Sequence, residues 1–237
     1  MVILFSVPLI KKLLYLQNCN MKLYSYFRSS CSYRVRIALN FKGISYEQVP
    51  VNLLKNEQRW PSNLSRNPQG LVPSLEHEGK TLTQSLAIIE YLEDLFPYPS
   101  LLPQEPIQRA EVRAISQIIA CDTQPVQNLR VLKYVVNELQ KTSEDKLKWG
   151  RHFIELGFNA LESRIQETAG TYAYGGQFSL IDVCLVPQVY NAIRFNVNLE
   201  NYPVIKKVYE NCLLLSCVDN ARPELQEDCP ESLRSLK

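Results

Sequence analysis

The chain has 237 residues, 46% of them hydrophobic, and a formal net charge of +2. That length can bury a core in one or two domains, and the near-neutral balance gives neither nucleic acid nor an anionic membrane as a partner. Seven scattered cysteines without a C-x-x-C pair, and only His77 and His152, point away from a structural metal and a disulfide scaffold; a reduced, cytoplasmic protein is expected.

Met1 to Ile10 is apolar and Lys11-Lys12 follows it, the reverse of the order in a secretory signal. The run is too short to span a bilayer and contains Pro8. Met21 opens the first strand that a fold needs, so residues 1–20 read as an extension outside it.

Leu23-Tyr24-Ser25-Tyr26 favours a strand, and Ser30 to about Phe41 favours a helix. Between them stands Phe27-Arg28-Ser29-Ser30-Cys31-Ser32-Tyr33-Arg34-Val35-Arg36. Small polar side chains at a helix start lie beside free backbone N–H groups and the positive end of the macrodipole, where an anion is stabilised. The same serines also suit a plain N-cap. Gly43 is a helix stop, and Ile44 to Val51 alternates as a second strand. Residues 53–66 are weakly helical or irregular, up to the turn cluster Asn67-Pro68-Gln69-Gly70. Two further strands flank the hairpin turn Glu78-Gly79, and Gln84-Ser85 opens a periodic helix with Leu86, Ile88, Ile89, Leu92, Leu95 and Phe96. The order βαβ, then ββα, predicts a small α/β domain over residues 21–97.

Residues 98–106, rich in proline, read as a linker. Everything beyond reads helical, over about 107–137, 144–168, 179–194 and 203–216, so 107–237 is expected to be an all-α bundle. Ser179-Leu180-Ile181-Asp182 is a capping box with Phe178 and Val183 placed as a staple, which makes Asp182 structural. The tail from Asp219 is polar and expected to lie extended.

The small α/β domain, the Val-Pro before its third strand, the Gln-Ser at its third helix and the helical second half resemble the glutathione transferase fold. Within it, residues 29–39, Gln84 to Leu92, Gln124-Pro125-Val126-Gln127-Asn128-Leu129 and Asp182 to Gln188 are similar to the zeta class, the maleylacetoacetate isomerases. The resemblance runs from about residue 21 to 230. It implies a thioredoxin-like N-terminal domain, an all-helical C-terminal domain, a homodimer, and glutathione-dependent isomerisation of maleylacetoacetate to fumarylacetoacetate in phenylalanine and tyrosine catabolism.

By that resemblance Ser29 stabilises the glutathione thiolate, with Ser30 and Cys31 shaping the catalytic pocket. A donated hydroxyl at a helix start lowers a thiol pKa and raises the reactive fraction. Glutathione contacts carry over to Ser29, Ser30, Cys31, Ser32, Tyr33, Arg34, Gln48, Val72, Gln84, Ser85, Gln124 and Asn128. Val72-Pro73 is expected to be cis, turning the Val72 backbone toward a peptide ligand; a surface turn is the plainer alternative. Gln84-Ser85 would receive the γ-glutamyl carboxylate, or serve as an ordinary cap. A dicarboxylate substrate calls for cations, expected at Arg194 and Arg28. Arg36 shares a polar helix face with Asn40 and reads as solvated, whereas Arg34 projects from a more apolar sector and suits an internal ion pair. Tyr33 replaces a common family tryptophan, and Arg130 stands where a small polar residue is usual. The alternatives are a broader glutathione transferase, a dehalogenase of α-halo acids, a thiol exchanger using Cys31, or a non-catalytic binding module of this fold.

Overall fold

The computed structural model describes residues 20–234, so the N-terminal extension lies outside the described residues except for Asn20. The chain divides into two units, one comprising residues up to Pro99 together with those from Cys217 on, the other Ser100–Ser216. Residues 217–234, which the sequence reading gave to the helical domain, thus pack with the first unit.

The first unit carries β1 (Lys22–Ser25), α1 (Ser30–Phe41), β2 (Glu47–Pro50), β3 (Ser74–His77), β4 (Lys80–Thr83) and α2 (Ser85–Leu95). The sheet order is β2-β1-β3-β4, with β1 and β2 parallel and the other two pairings antiparallel. Leu23 on central β1 stands opposite Gln48 on one side and Leu75 on the other, and both leucines are fully buried. The β3–β4 turn works because Glu78 and Gly79 both take positive φ, at 49° and 72°, which matches the twist of a hairpin. α1 closes as expected: Gly43 has φ 67°, its N–H donates to Asn40 O, and Ile44 N–H donates to Leu39 O.

α1 departs from the expected amphipathic helix, since every residue from Ser32 to Leu39 is buried. Arg36, expected in solvent, is 0% exposed. The reason is the C-terminal segment, which covers the polar face: Asn40 Nδ2 donates to Cys217 O at 3.2 Å and Arg36 Nε to Ala221 O at 3.1 Å. That segment is not the extended tail foreseen either. It forms short helical turns at Ser216–Asp219, Pro223–Leu225 and Glu231–Arg234, and buries Val218, Ala221, Pro223 and Cys229.

At the far end of α1 the Lys42 ammonium is buried. It meets Glu93 Oε1 of α2 at 2.5 Å and donates to Phe96 O at 2.7 Å and Pro99 O at 2.9 Å, so all three of its N–H bonds have acceptors.

The second unit contains α3 (Pro106–Gln117), α4 (Leu129–Asn137), α5 (Ser143–Gln166), α6 (Leu180–Arg194) and α7 (Pro203–Leu213). The single helix expected over 107–137 is interrupted. Ile118–Thr123 is a π-helical turn in which Thr123 Oγ1 donates to Ile118 O, five residues back, at 2.7 Å. Asn128 then caps a fresh helix, its Oδ1 accepting from the N–H groups of Arg130 and Val131. α5 passes so near the π turn that a Cβ on Gly157 would fall 2.0 Å from Thr123 Oγ1. α6 begins at the expected capping box, where Ser179 N–H and Oγ–H both donate to Asp182 Oδ2 at 2.8 Å. Asp182 is fully buried and also accepts from Ala173 N–H, a structural role as anticipated. No helix among the described residues is long and apolar enough to cross a membrane.

Two predictions follow from these buried charges. Glu93→Ala strands the Lys42 ammonium and should cost about 3–5 kcal/mol in urea unfolding, whereas Lys42→Met with Glu93→Leu should cost less than that single change. Burial raises the Asp182 pKa to about 6, against which its hydrogen bonds pull down. The folded form therefore holds a proton that the unfolded chain releases near pH 4; this contribution is full below that and is lost as pH rises through about 6. Relative to Asp182→Asn, wild-type stability should fall by about 2 kcal/mol from pH 4 to pH 7, read by unfolding at each pH.

Candidate active site

The first unit assembles its candidate residues where β1 hands over to α1. Ser29 has extended backbone (φ −72°, ψ 120°), and its N–H closes a turn on Tyr26 O at 3.0 Å. Its Oγ accepts from Ser32 N–H at 3.2 Å, so Ser29 is the N-cap of α1. The cap and the thiolate stabiliser are not rivals. A hydroxyl accepts with its lone pairs and donates with its proton, and among the described residues nothing takes that proton. Ser29, Ser30 and Cys31 are half-buried and open to a ligand, whereas Ser32 and Tyr33 point into the core at 0% and 2% exposure. Arg28 is half-exposed, its guanidinium 5.5 Å from the Phe27 ring centre.

Arg34 lies one turn further on and is 1% exposed. The ion pair expected for it is absent among the described residues. Its Nη1 donates to Ser85 Oγ at 3.4 Å and stands 4.0 Å from Cys31 Sγ, while Nε and Nη2 are buried without partners. A permanently charged guanidinium in that state is costly until an anion joins it. Ser85 is the first residue of α2, where free N–H groups favour the same kind of ligand. Gln84 before it takes φ 70° and ψ 115°, a strained conformation for a residue with a side chain, and its Nε2 donates to Gln69 Oε1 at 2.7 Å. Cys31, Arg34 and Ser85 are therefore one cluster, fit for a carboxylate.

Val72 belongs to the same end of the sheet, packed with Tyr24, Tyr26, Phe27, Val51 and Cys229, and the Val72–Pro73 peptide is cis. Gln48 is placed less directly. It sits in the middle of β2 in register with Leu23, two positions short of the pairing of Pro50 with Ser25.

The second unit holds Gln124, Asn128 and Arg194. Gln124 is half-buried just after the π turn, and Asn128 spends its Oδ1 on the cap of α4. Arg194 is exposed at the last turn of α6, and its Nη1 donates to Asn191 Oδ1 at 2.9 Å. Asn191 Nδ2 donates to Gln127 Oε1, and Gln127 Nε2 to Gln188 Oε1 at 3.2 Å. These buried amides run in one direction because the guanidinium can only donate, which fixes the oxygen of Asn191 and hence each amide behind it. The resemblance does not assign Gln127, Gln188 or Asn191 to the site. Their local signal is that Gln127 and Gln188 lie within Gln124–Leu129 and Asp182–Gln188 and Asn191 one helical turn before Arg194, but their meeting is tertiary.

The model of the glutathione S-transferase N-terminal domain matches residues 19–94. The maleylacetoacetate isomerase of Mus musculus is 50% identical over 215 residues, covering 90% of this chain and 97% of the relative. A probable maleylacetoacetate isomerase of Vibrio cholerae is 44% identical over 208 residues, covering 87% and 97%. Among solved structures, the holo form of maleyl pyruvate isomerase, a bacterial zeta-class glutathione S-transferase, superposes with a TM-score of 0.86 at 40% identity, covering 88% of this chain and all of that one. Maleylacetoacetate isomerase of Anaeromyxobacter dehalogenans, with glutathione bound in its active site, gives 0.81 at 41% identity, covering 89% and 98%. With its cap, its anion cluster and relatives matched over nearly their whole length, the chain belongs to the glutathione S-transferase family, in the zeta class with the maleylacetoacetate isomerases.

Proposed function

We propose that the protein is an enzyme that isomerises maleylacetoacetate to fumarylacetoacetate with glutathione; relatives are named maleylacetoacetate isomerase, and one solved relative holds glutathione in its active site. The observation that carries this reading is the Ser29 hydroxyl, held as acceptor by Ser32 N–H with its proton unspent beside half-buried Ser30 and Cys31. The buried unpartnered nitrogens of Arg34 support a carboxylate-bearing ligand at Ser85, which fits glutathione. When bound, glutathione supplies a thiolate that adds reversibly to an electron-poor double bond, frees rotation about it and leaves unchanged.

Each group of the chain then has a task. Ser29 donates its hydroxyl proton toward sulfur, and the start of α1 adds its dipole, so the thiolate is favoured at neutral pH. Ser30 and Cys31 border the same position. Arg34, Gln84 and Ser85 hold the γ-glutamyl end, and the Val72 backbone pairs with the peptide. Gln124 and Asn128 complete the glutathione contacts, and Gln48 takes its glycyl end. Arg194 and Arg28 receive the substrate carboxylates, with the buried amides behind Arg194 limiting its freedom. The N-terminal domain over residues 21–97, the linker over 98–106, a homodimer and a cytoplasmic location complete the reading. A broader transferase or dehalogenase activity would use the same hydroxyl.

Ser29→Ala should raise the pH at which bound glutathione ionises by about 1–2 units and lower kcat roughly 10- to 100-fold, since a hydrogen bond to a charged group is worth about 1.5–3 kcal/mol. Ultraviolet titration of the bound thiolate and isomerisation kinetics measure both; wild-type values in the variant would move the role to Ser30 or Cys31. Arg34→Met should raise the melting temperature of the ligand-free protein by removing an uncompensated charge, and should weaken glutathione about tenfold or more in calorimetry.

A further inference from the structure

Phe27 stands two residues before Ser29, and both of its backbone polar groups are held from outside the local chain. Its N–H donates to Asp228 Oδ2 at 2.8 Å, across 201 residues of sequence. Its C=O accepts from Arg36 Nη2 at 2.9 Å, while Arg36 Nη1 reaches Tyr26 O and Arg36 Nε reaches Ala221 O at 3.1 Å. The peptide planes on either side of Phe27 are thus fixed by a clamp that depends on the C-terminal segment. Ser29 N–H closes on Tyr26 O, so the orientation of those planes is carried directly into the Ser29 turn.

The carboxylate is not needed merely to dock the segment. Cys229 is already part of the cluster of Tyr24, Tyr26, Phe27, Val51 and Val72, and Leu233 packs against it. Asp228 sits half-buried with Oδ1 buried and without a hydrogen-bond partner, a costly arrangement that the Phe27 N–H offsets together with its own backbone N–H and the Arg36 charge. Burial also pushes its carboxyl pKa up, against the Phe27 hydrogen bond that lowers it.

We propose that Asp228 is a positioning residue for the isomerisation: by holding the Phe27 N–H, it aims the Ser29 hydroxyl at the glutathione sulfur. This rests on the reading of Ser29 given above. Without that acceptor the Phe27 peptide plane turns to find water and carries Ser29 with it, and misplacement of a reacting group by about 1 Å can cost on the order of 100-fold in rate.

The test uses the full chain with Asp228→Ala, Asp228→Asn and Ser29→Ala, titrating the ultraviolet absorbance of bound glutathione thiolate and measuring isomerisation. Asp228→Ala should reduce the thiolate fraction at neutral pH about tenfold and kcat by about 10- to 100-fold, with the glutathione KM within about threefold. Asp228→Asn, whose amide oxygen still accepts from Phe27 N–H, should restore both. A segment serving stability alone would lower the melting temperature and leave the ionisation midpoint where it is. A folded Asp228→Ala protein with wild-type midpoint and kcat overturns the proposal. Should that variant not fold, Asp228→Glu keeps the charge but lengthens the side chain, and a moved or unmoved midpoint decides in the same way. If Ser29→Ala leaves the midpoint unchanged, the reading of Ser29 fails; if it moves the midpoint and the Asp228 variants do not, the inference about Asp228 alone fails.

Discussion

The first unit depends on one buried guanidinium. Arg36 sits in the middle of α1 with no exposure, and its donors reach Ser25 at the end of β1, Tyr26 and Phe27 in the turn, and Ala221 in the returning C-terminal segment. Strand, turn, helix and tail therefore meet on one planar group whose geometry is rigid and whose charge is permanent. Water is replaced there by carbonyl and hydroxyl oxygens, so neutral groups solvate much of the charge. The Tyr33 ring, 5.3 Å from the guanidinium, closes one side.

Two residues away the same helix treats a second arginine in the opposite manner. Arg34 is as deeply buried, yet two of its nitrogens have no partner. Spacing explains the difference, because two positions along a helix turn a side chain through most of a half-circle, toward α2 instead of the tail. One arginine organises the backbone, and the other keeps two buried donors unspent. The helical unit repeats the logic with neutral groups, its amides ordered in series behind an exposed Arg194.

Much of this was legible in the sequence. The strand and helix order of the small domain, the Glu78-Gly79 hairpin, the Gly43 stop and the Asp182 capping box are local signals, and local chemistry decided them. The Ser29 cap was equally readable, whereas Cys31, Arg34 and Ser85 entered singly through the resemblance, and their meeting is tertiary. What could not be read was tertiary. A helical wheel gives Arg36 a polar face but does not say that residues beyond 217 cover it. The break at Ile118–Thr123 hides in a sequence of ordinary helix formers; Pro125 and Asn128 mark only its far side. The run of amides from Gln127 to Asn191 joins residues from two distant motifs.

The clamp on the Phe27 turn also has a temporal side. The Phe27 turn and the start of α1 are synthesised early, but the segment that closes over α1 is synthesised only after the whole of Ser100–Ser216. At typical elongation rates the nascent first unit waits on the order of 10 s with the polar face of α1 uncovered and Arg36 lacking its Ala221 partner. Its completion therefore waits until residues 217–234 have left the ribosome. A chain broken off just short of that segment would carry every residue of the anion cluster and still lack the frame that holds Ser29 in place.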